Sequence, residues 1–340
     1  MDGAREGFIT AGTWCLDRNI TVENWPEEDM ATSVLDLQLS GGGSACNFAV
    51  DLRRLDPSVQ VETMGLLGQD AAGDFLQSVA EANGIAHRFC RSDAAGTQTT
   101  DAYVSKATGR RTHILFVGVG NLLSPAHFDF SQTRAKYLHL GLPGIHAVMD
   151  AAWQGDANGW VAVLRQARAL GIRTNLELVA AEAEAIREHV HPCLPHLDTL
   201  VVNDQEIGAL AGVATLRAGQ PDPAACRMAA RQVLQMGAMD LVVVHHTAGA
   251  HLVARDGSLA ELPSVNVPAE ARKGANGAGD AFAAGFFYGL SSNWPAQECL
   301  RMAHATAAAC LRAPDPHSGI EDHASCLAQA DRWGWHAAMA

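Results

Sequence analysis

The sequence predicts an α/β fold: a three-layer α/β/α domain around a mostly parallel central sheet, with a small β-sheet set apart from it. Three observations predict it. From Lys136 onward, short apolar runs (Tyr137–Leu142, Ile172–Val179, Thr199–Val202, Leu241–Val244) alternate with helical stretches such as Trp160–Leu170 and Cys226–Met236. Continuous apolar strands separated by helices belong to a parallel sheet covered on both faces. Gln98–Lys106 and Arg111–Val117 read as a hairpin around Ala107-Thr108-Gly109-Arg110, polar on one side of each arm and so part of a flap outside the core. Finally, the glycine-rich stretch Gly274–Asp280 runs into Ala281–Leu290, which is apolar nearly all round and should be a helix through the interior.

The remaining elements follow in order. Phe8–Gly12 is a first buried strand ending at glycine, and Asp17 is expected in the loop beyond its carboxyl end, where open α/β sheets bind ligands. Val34–Leu39 alternates as an exposed strand would. Gly41-Gly42-Gly43 opens a helix with Phe48, Leu52 and Leu55 on one face; Asn47, in its first turns, can both donate and accept hydrogen bonds. Val59–Leu67 reads as a strand, and Asp70 as the N-cap of the next helix. At the end of another strand, Asn203 and Glu206 are three apart. That spacing suits either a helix cap or a pair of oxygen ligands for hydrated magnesium.

Composition limits the function. The chain has 340 residues, is 48% hydrophobic with mean hydropathy near zero, and carries a net charge of −13. One domain over 1–340 is expected. Without a basic cluster, neither nucleic acid nor an acidic membrane surface is an expected partner. The eight cysteines are scattered with no C-x-x-C pair, as reduced core thiols of a cytoplasmic protein would be. No apolar run approaches membrane-spanning length, and the 15 histidines show no metal-ligand spacing.

Chemistry concentrates in Gly274-Ala275-Asn276-Gly277-Ala278-Gly279-Asp280. A glycine-rich turn feeding a helix N-terminus presents unpaired N–H groups together with the positive end of the helix dipole, and so forms an anion site. Asp280 would repel a resting phosphate, but it suits a site where a hydroxyl must be oriented and relieved of its proton. A buried helix behind a glycine loop, with Asp280 as an ordinary helix-start acid, accounts for the same residue types.

In this order, these pieces resemble the ribokinase-like (PfkB) carbohydrate kinases over nearly the whole chain. The family's late motif looks like residues 274–280, and its glycine pair followed by Asn looks like Gly42-Gly43 to Asn47. Its Gly-x-Asp-x-x-Gly segment looks like Gly68, Asp70 and Gly73, and its Asn-x-x-Glu like Asn203 and Glu206. The resemblance implies phosphoryl transfer from ATP to a sugar hydroxyl in a cytoplasmic enzyme. Asp280 would be the base, and the N–H groups of Gly277, Ala278 and Gly279 an anion hole. Asp17, Gly42, Gly43 and Asn47 would hold the sugar. Asn203, Gly249, Gly277, Gly279 and His304 would serve the nucleotide, and Asn203 and Glu206 would order Mg2+ through water. Residues 13–40 and 97–120 would form a lid that pairs two copies into a homodimer.

The chain departs from the family pattern in four places, one of them Ser44, where true ribokinases have Lys after the glycine pair. Gly274-Ala275 stands for the usual Asp-Thr near a monovalent cation, so no potassium requirement is expected. Val244–Gly249 keeps only the last glycine of the nucleotide-side segment, and Met302–Thr306 replaces an Asn-bearing helix, leaving the base preference open. A nucleoside kinase of the same family is the alternative acceptor reading. A catalytically inactive sugar-binding homologue is a reading of another class, against which the retained Asp280 argues.

Overall fold

The structure, a computed structural model, describes residues 4–179 and 181–337; of the domain expected over 1–340, residues 1–3, 180 and 338–340 lie outside them. The chain opens on β1 (Phe8–Gly12), β2 (Cys15–Val22), β3 (Val34–Gly42) and α1 (Ser44–Leu55). Next come β4 (Val61–Gly68), α2 (Ala71–Ala82), β5 (Ala86–Ser92), β6 (Thr99–Ser105) and β7 (Arg111–Phe116). The alternating half holds β8 (Tyr137–Gly141), α3 (Ala147–Asp150), α4 (Gly159–Ala169), β9 (Arg173–Leu176), α5 (Ala183–Val190), β10 (Thr199–Asn203) and α6 (Asp204–Ala211). A two-residue ribbon, β11 (Leu216–Arg217) and β12 (Gln220–Pro221), precedes α7 (Pro223–Met236), β13 (Leu241–His246), β14 (Gly249–Ala254) and β15 (Leu259–Pro263). Three helices close the chain: α8 (Ala278–Ser291), α9 (Ala296–Cys310) and α10 (His323–Trp333).

The central layer is built in two parts. Strands β5-β4-β1-β8-β9 are all parallel, and β10-β13-β14-β15 continue beyond them. The seam is the pair Thr174 and Asp198: the Asp198 N–H donates to Thr174 O at 3.0 Å, and the Thr174 N–H to Asp198 Oδ2 at 2.9 Å. The two-residue period of each strand feeds two cores. Phe8, Val201 and Val243 join Phe48 and Phe282–Phe287 on one face, while Ile9, Val202 and Val244 join Trp160, Leu164 and Val233 on the other. Hence the strands read as unbroken apolar runs.

The central layer is mostly parallel, as expected, and turns antiparallel only beyond β13, through β14 and β15. Neither of these strands, nor β5, was legible, because β5 carries His87, Arg88 and Arg91 on a half-buried edge and β15 carries Glu261 on another. Asp17 is not in a loop. It lies on β2, opposite Ser40 of β3, because the chain leaves β1 and enters the second sheet within three residues.

That second sheet has the order β3-β2-β6-β7 and includes the predicted hairpin. Its outer strands are apolar and exposed: Val34, Leu35, Leu37 and Leu39 on β3, and Ile114, Leu115 and Phe116 on β7. The eight cysteines are free, and no helix among the described residues is long and apolar enough to cross a membrane.

Helices α8 and α9 pack backbone against backbone. A Cβ on Gly285 would stand 2.4 Å from Thr306 Oγ1 and 2.7 Å from Met302 O. Thr306 cannot yield freely, because its hydroxyl donates to Met302 O at 2.8 Å. Gly285→Ala gains about 1 kcal/mol of helix propensity but overpacks at a cost of about 1–3 kcal/mol. We therefore expect a net loss of stability, read as a lower urea midpoint at unchanged m-value. An equal or higher midpoint would show that the two helices separate easily.

Candidate active site

The carboxyl ends of β1, β8, β9, β10 and β13 meet the N-termini of α1 and α8. Gly277, the N-cap of α8, has φ +76°, and a Cβ there would lie 2.6 Å from the Pro316 ring. Glycine is required on both counts. The Ala278 N–H reaches Ala275 O only at 3.4 Å, and the N–H groups of Gly277 and Gly279 have no acceptor among the described residues. The turn thus leaves donors at the positive end of a 14-residue helix, as an anion site requires.

Asp280 follows in the first turn. Asn47 Nδ2 donates to its Oδ2 at 2.8 Å, tying the starts of α1 and α8 together. Asp280 keeps some solvent contact but is hemmed in by protein, and this desolvation raises its carboxyl to about 6. The Asn47 bond pulls the other way, while the Asp51 and Asp17 charges push with burial.

Asp17 is buried, approached by Cys15 Sγ at 3.2 Å and by Asn276 Nδ2 at 3.4 Å, the latter from the glycine-rich turn. Desolvation raises its pKa too. A Cβ on Gly42 would sit 2.3 Å from that carboxylate, so only glycine fits beside it; Gly43, at φ +85°, caps α1. Ser44 Oγ and Asn47 Oδ1 are buried and have no hydrogen-bond partner among the described residues. Asp17, Gly42, Gly43, Asn47, Gly277–Gly279 and Asp280 therefore converge.

Asn203 and Glu206 form a capping box. Asn203 Oδ1 accepts from the N–H groups of Gln205 and Glu206, and Glu206 Oε2 accepts from the Asn203 N–H, each at 2.9 Å. Burial lifts Glu206 to about 7, with the Asp204 and Asp280 charges adding to it. A cleft of about 600 Å³ runs from here along α8, lined among others by Asn203, His245, Gly279, Phe282 and His304. Gly249 is not among its lining residues. It is buried in β14 opposite Pro263 and His246, and His246 and Thr247 face the cleft in its place. His304 is buried, its Nε2 has no partner among the described residues, and desolvation lowers it to about 3.

The sequence reading missed two groups. His317 Nδ1 and Asp51 Oδ1 lie 2.9 Å apart, both buried, and His317 Nε2 lies 3.2 Å from Gly41 O. Burial lowers the imidazole, but the Asp51 bond and charge outweigh it and the His317 pKa rises. The pair holds one proton between carboxylate and ring, and so moderates the negative charge around Asp17 and Asp280. The second group is His139, in the middle of β8, with Glu177, just past β9, beside Asp280. Each is an ionisable residue inside an apolar strand run, the one signal the sequence held.

The chain matches the family described as pfkB family carbohydrate kinase over residues 9–322. It is 23% identical to adenosine kinase of Schizosaccharomyces pombe over 285 residues, 78% of this chain and 81% of that protein. It is 26% identical to the ATP-dependent ribose-1-phosphate kinase of Halopiger xanaduensis over 301 residues, 88% of this chain and 90% of that protein. The structure of Arabidopsis thaliana ribokinase complexed with ribose and ATP superposes with a TM-score of 0.76 at 19% identity. That match covers 96% of this chain and 99% of the other, and establishes the likeness of fold.

Asp280 should titrate near its raised value of about 6, seen in the carboxyl region of an infrared pH titration with Asp280→Asn as the blank. Asn47→Ala removes a donor that favours the charged form, so the midpoint should move higher still. An unchanged midpoint in Asn47→Ala, or an ordinary carboxylate midpoint of about 4 in the wild type, would contradict the assigned environment.

Proposed function

The chain belongs to the pfkB family of carbohydrate kinases, and on that footing we propose that it transfers the γ-phosphoryl group of ATP to a sugar hydroxyl, with Asp280 as the base. The observation that carries this reading is the pairing of Asp280 with the open N–H groups of its own helix turn. Transfer needs a proton acceptor at the attacking oxygen and fixed positive dipoles where charge develops, both held before reaction. With a pKa of about 6 the carboxylate is mostly ionised at neutral pH, yet basic enough to accept a proton as the oxygen attacks.

The sugar is held from the small-sheet side by Asp17 and the Gly42-Gly43 backbone and from the core by Asn47. Their buried polar atoms, Asn47 Oδ1 among them, gain partners when hydroxyls arrive. The nucleotide lies in the cleft between the end of β13 and α8–α9, its base near Phe282 and His304. Mg2+ would supply charge neutralisation between the phosphates. The cap occupies Asn203 Oδ1 and one Glu206 oxygen, so the fit is through metal-bound water on the remaining Glu206 oxygen. No carboxylate stands at Gly274-Ala275, consistent with catalysis that does not need potassium.

The test is ADP release from Mg-ATP against a panel of sugars and nucleosides. A sugar should give the highest kcat/KM; a nucleoside doing so would select the alternative acceptor. On the best substrate, Asp280→Asn should lose about 10²–10⁴-fold in kcat with binding retained. A variant keeping more than a tenth of wild-type kcat excludes Asp280 as base, and a wild type inert on the whole panel favours the inactive-homologue reading.

The small sheet serves as lid and dimer contact. On β3, Val34, Leu37 and Leu39 are 58%, 54% and 50% exposed, a row of apolar side chains with no cover in one chain. We expect a homodimer in sedimentation velocity at micromolar concentration, and a monomer for Leu37→Asp combined with Leu39→Asp. A monomeric wild type would rule the contact out.

A further inference from the structure

The cluster of His139, Glu177 and Asp280 carries an inference of its own. One ligand atom from each lies within 4.8 Å of the others, and His139 Nε2 stands 3.8 Å from Glu177 Oε2. That pair is too far apart for a hydrogen bond. Both atoms are buried without a partner among the described residues, with His139 1% and Glu177 8% exposed. No Lys or Arg bonds to either carboxylate among the described residues; Asn47 is the one donor to Asp280. Two carboxyl groups and an imidazole thus share a pocket in which none satisfies another. Buried polar groups left this way cost about 1–3 kcal/mol each, which points to a ligand that meets all three.

We propose that His139 Nε2, Glu177 Oε2 and a carboxylate oxygen of Asp280 form a binding site for one divalent transition-metal ion. Four points support it. Donors at about 2.0–2.2 Å from a tetrahedral ion stand about 3.4 Å from each other, so the 3.8 Å separation needs little adjustment. Two carboxylates balance a divalent charge, which removes their mutual repulsion. Imidazole with carboxylate selects zinc, cobalt or nickel over magnesium, which prefers oxygen alone. The ring is also prepared for ligation. It stacks on Phe48 at 3.9 Å between centroids, which holds its plane in place.

Asn175 completes the arrangement. Its amide meets His139 Nδ1 at 3.0 Å through Nδ2, while Oδ1 is buried without a partner among the described residues. Turning the amide over places Oδ1 against Nδ1–H and leaves the lone pair on Nε2, directed at the carboxylates. A ligating histidine anchored through its other nitrogen is the usual second layer of a metal site. An ion held here occupies the carboxylate assigned as the base, so it inhibits transfer. That consequence, unlike the binding itself, rests on the function proposed above.

The test uses the full chain without nucleotide or magnesium. Cobalt(II) chloride is titrated and followed by its visible d–d absorption, and zinc displacement is quantified by elemental analysis after dialysis. We expect one equivalent bound, with at least tenfold weaker binding in His139→Gln and in Glu177→Gln, and about 10–100-fold weaker in Asn175→Ala. Circular dichroism confirms that each variant is folded. Cobalt bound equally well by both ligand variants, or not bound at all below millimolar concentration, overturns the site. In the kinase assay, zinc should inhibit the wild type at concentrations that spare His139→Gln. Binding lost in the variants without any inhibition of the wild type would leave the site standing and sink Asp280 as the base.

Discussion

The structure depends most on how negative charge is held at one edge of the central sheet. Asp17, Asp51, Glu206 and Asp280 come from four different elements and Glu177 from the loop after β9; they crowd the same region, each raised in pKa first by desolvation. Such a group is tolerable only if the protein supplies protons, donors or dipoles to meet it. Three devices do so. The α8 N-terminus presents open N–H groups, Asn47 donates to Asp280, and Asp51 shares a proton with His317. Each is anchored in the core, so the packing of α1 against α8 and of α8 against α9 sets the electrostatics as well as the stability.

The same charges tie the small sheet to the body. Asp17 belongs to β2, yet it lies against Gly42 at the end of β3 and accepts from Asn276 in the turn before α8. His317 approaches Gly41 O from the loop after α9. Movement of the small sheet is therefore felt at the turn that presents Gly277–Gly279. On the proposed function, a sugar bound at Asp17 would act on the start of α8 through Asn276.

Much of this was legible in the residues, and for definite reasons. The parallel strands were readable because both faces are buried, and Gly277 because the left-handed backbone there favours glycine; Gly42 is held to glycine by the Asp17 carboxylate beside it. Asp280 was readable because an acid after a glycine turn opposes the site's simplest use. Strands β5 and β15 were hidden, since edge strands with Arg, His and Glu lose the apolar pattern; β14 is an inner strand whose short apolar run is broken by His251. Asp17 was misplaced by one element because nothing local marks a chain crossing from one sheet to another in three residues. Asn203 and Glu206 carry two meanings at one spacing, and the cap is the one whose geometry the structure contains. His139, Asn175 and Glu177 meet across two strands, a proximity that no spacing along the chain encodes.

The cleft along α8 follows from the same rule with the opposite sign. Burial raises carboxyls but lowers imidazoles, so His245 falls to about 4, His246 to about 4 and His304 to about 3. At neutral pH these three histidines bring hydrogen-bonding capacity and flat surface to the cleft but no charge. Arg272 is the one Arg or Lys side chain among the residues that line it, and its Nε is bonded to Val267 O. A polyphosphate entering this cleft therefore meets little side-chain charge. Its negative charge falls on the backbone N–H groups at the start of α8 and on whatever cation travels with it. On the proposed function the glycine turn would take the part that a lysine takes in a P-loop, and the φ of +76° at Gly277 is what keeps its N–H groups open.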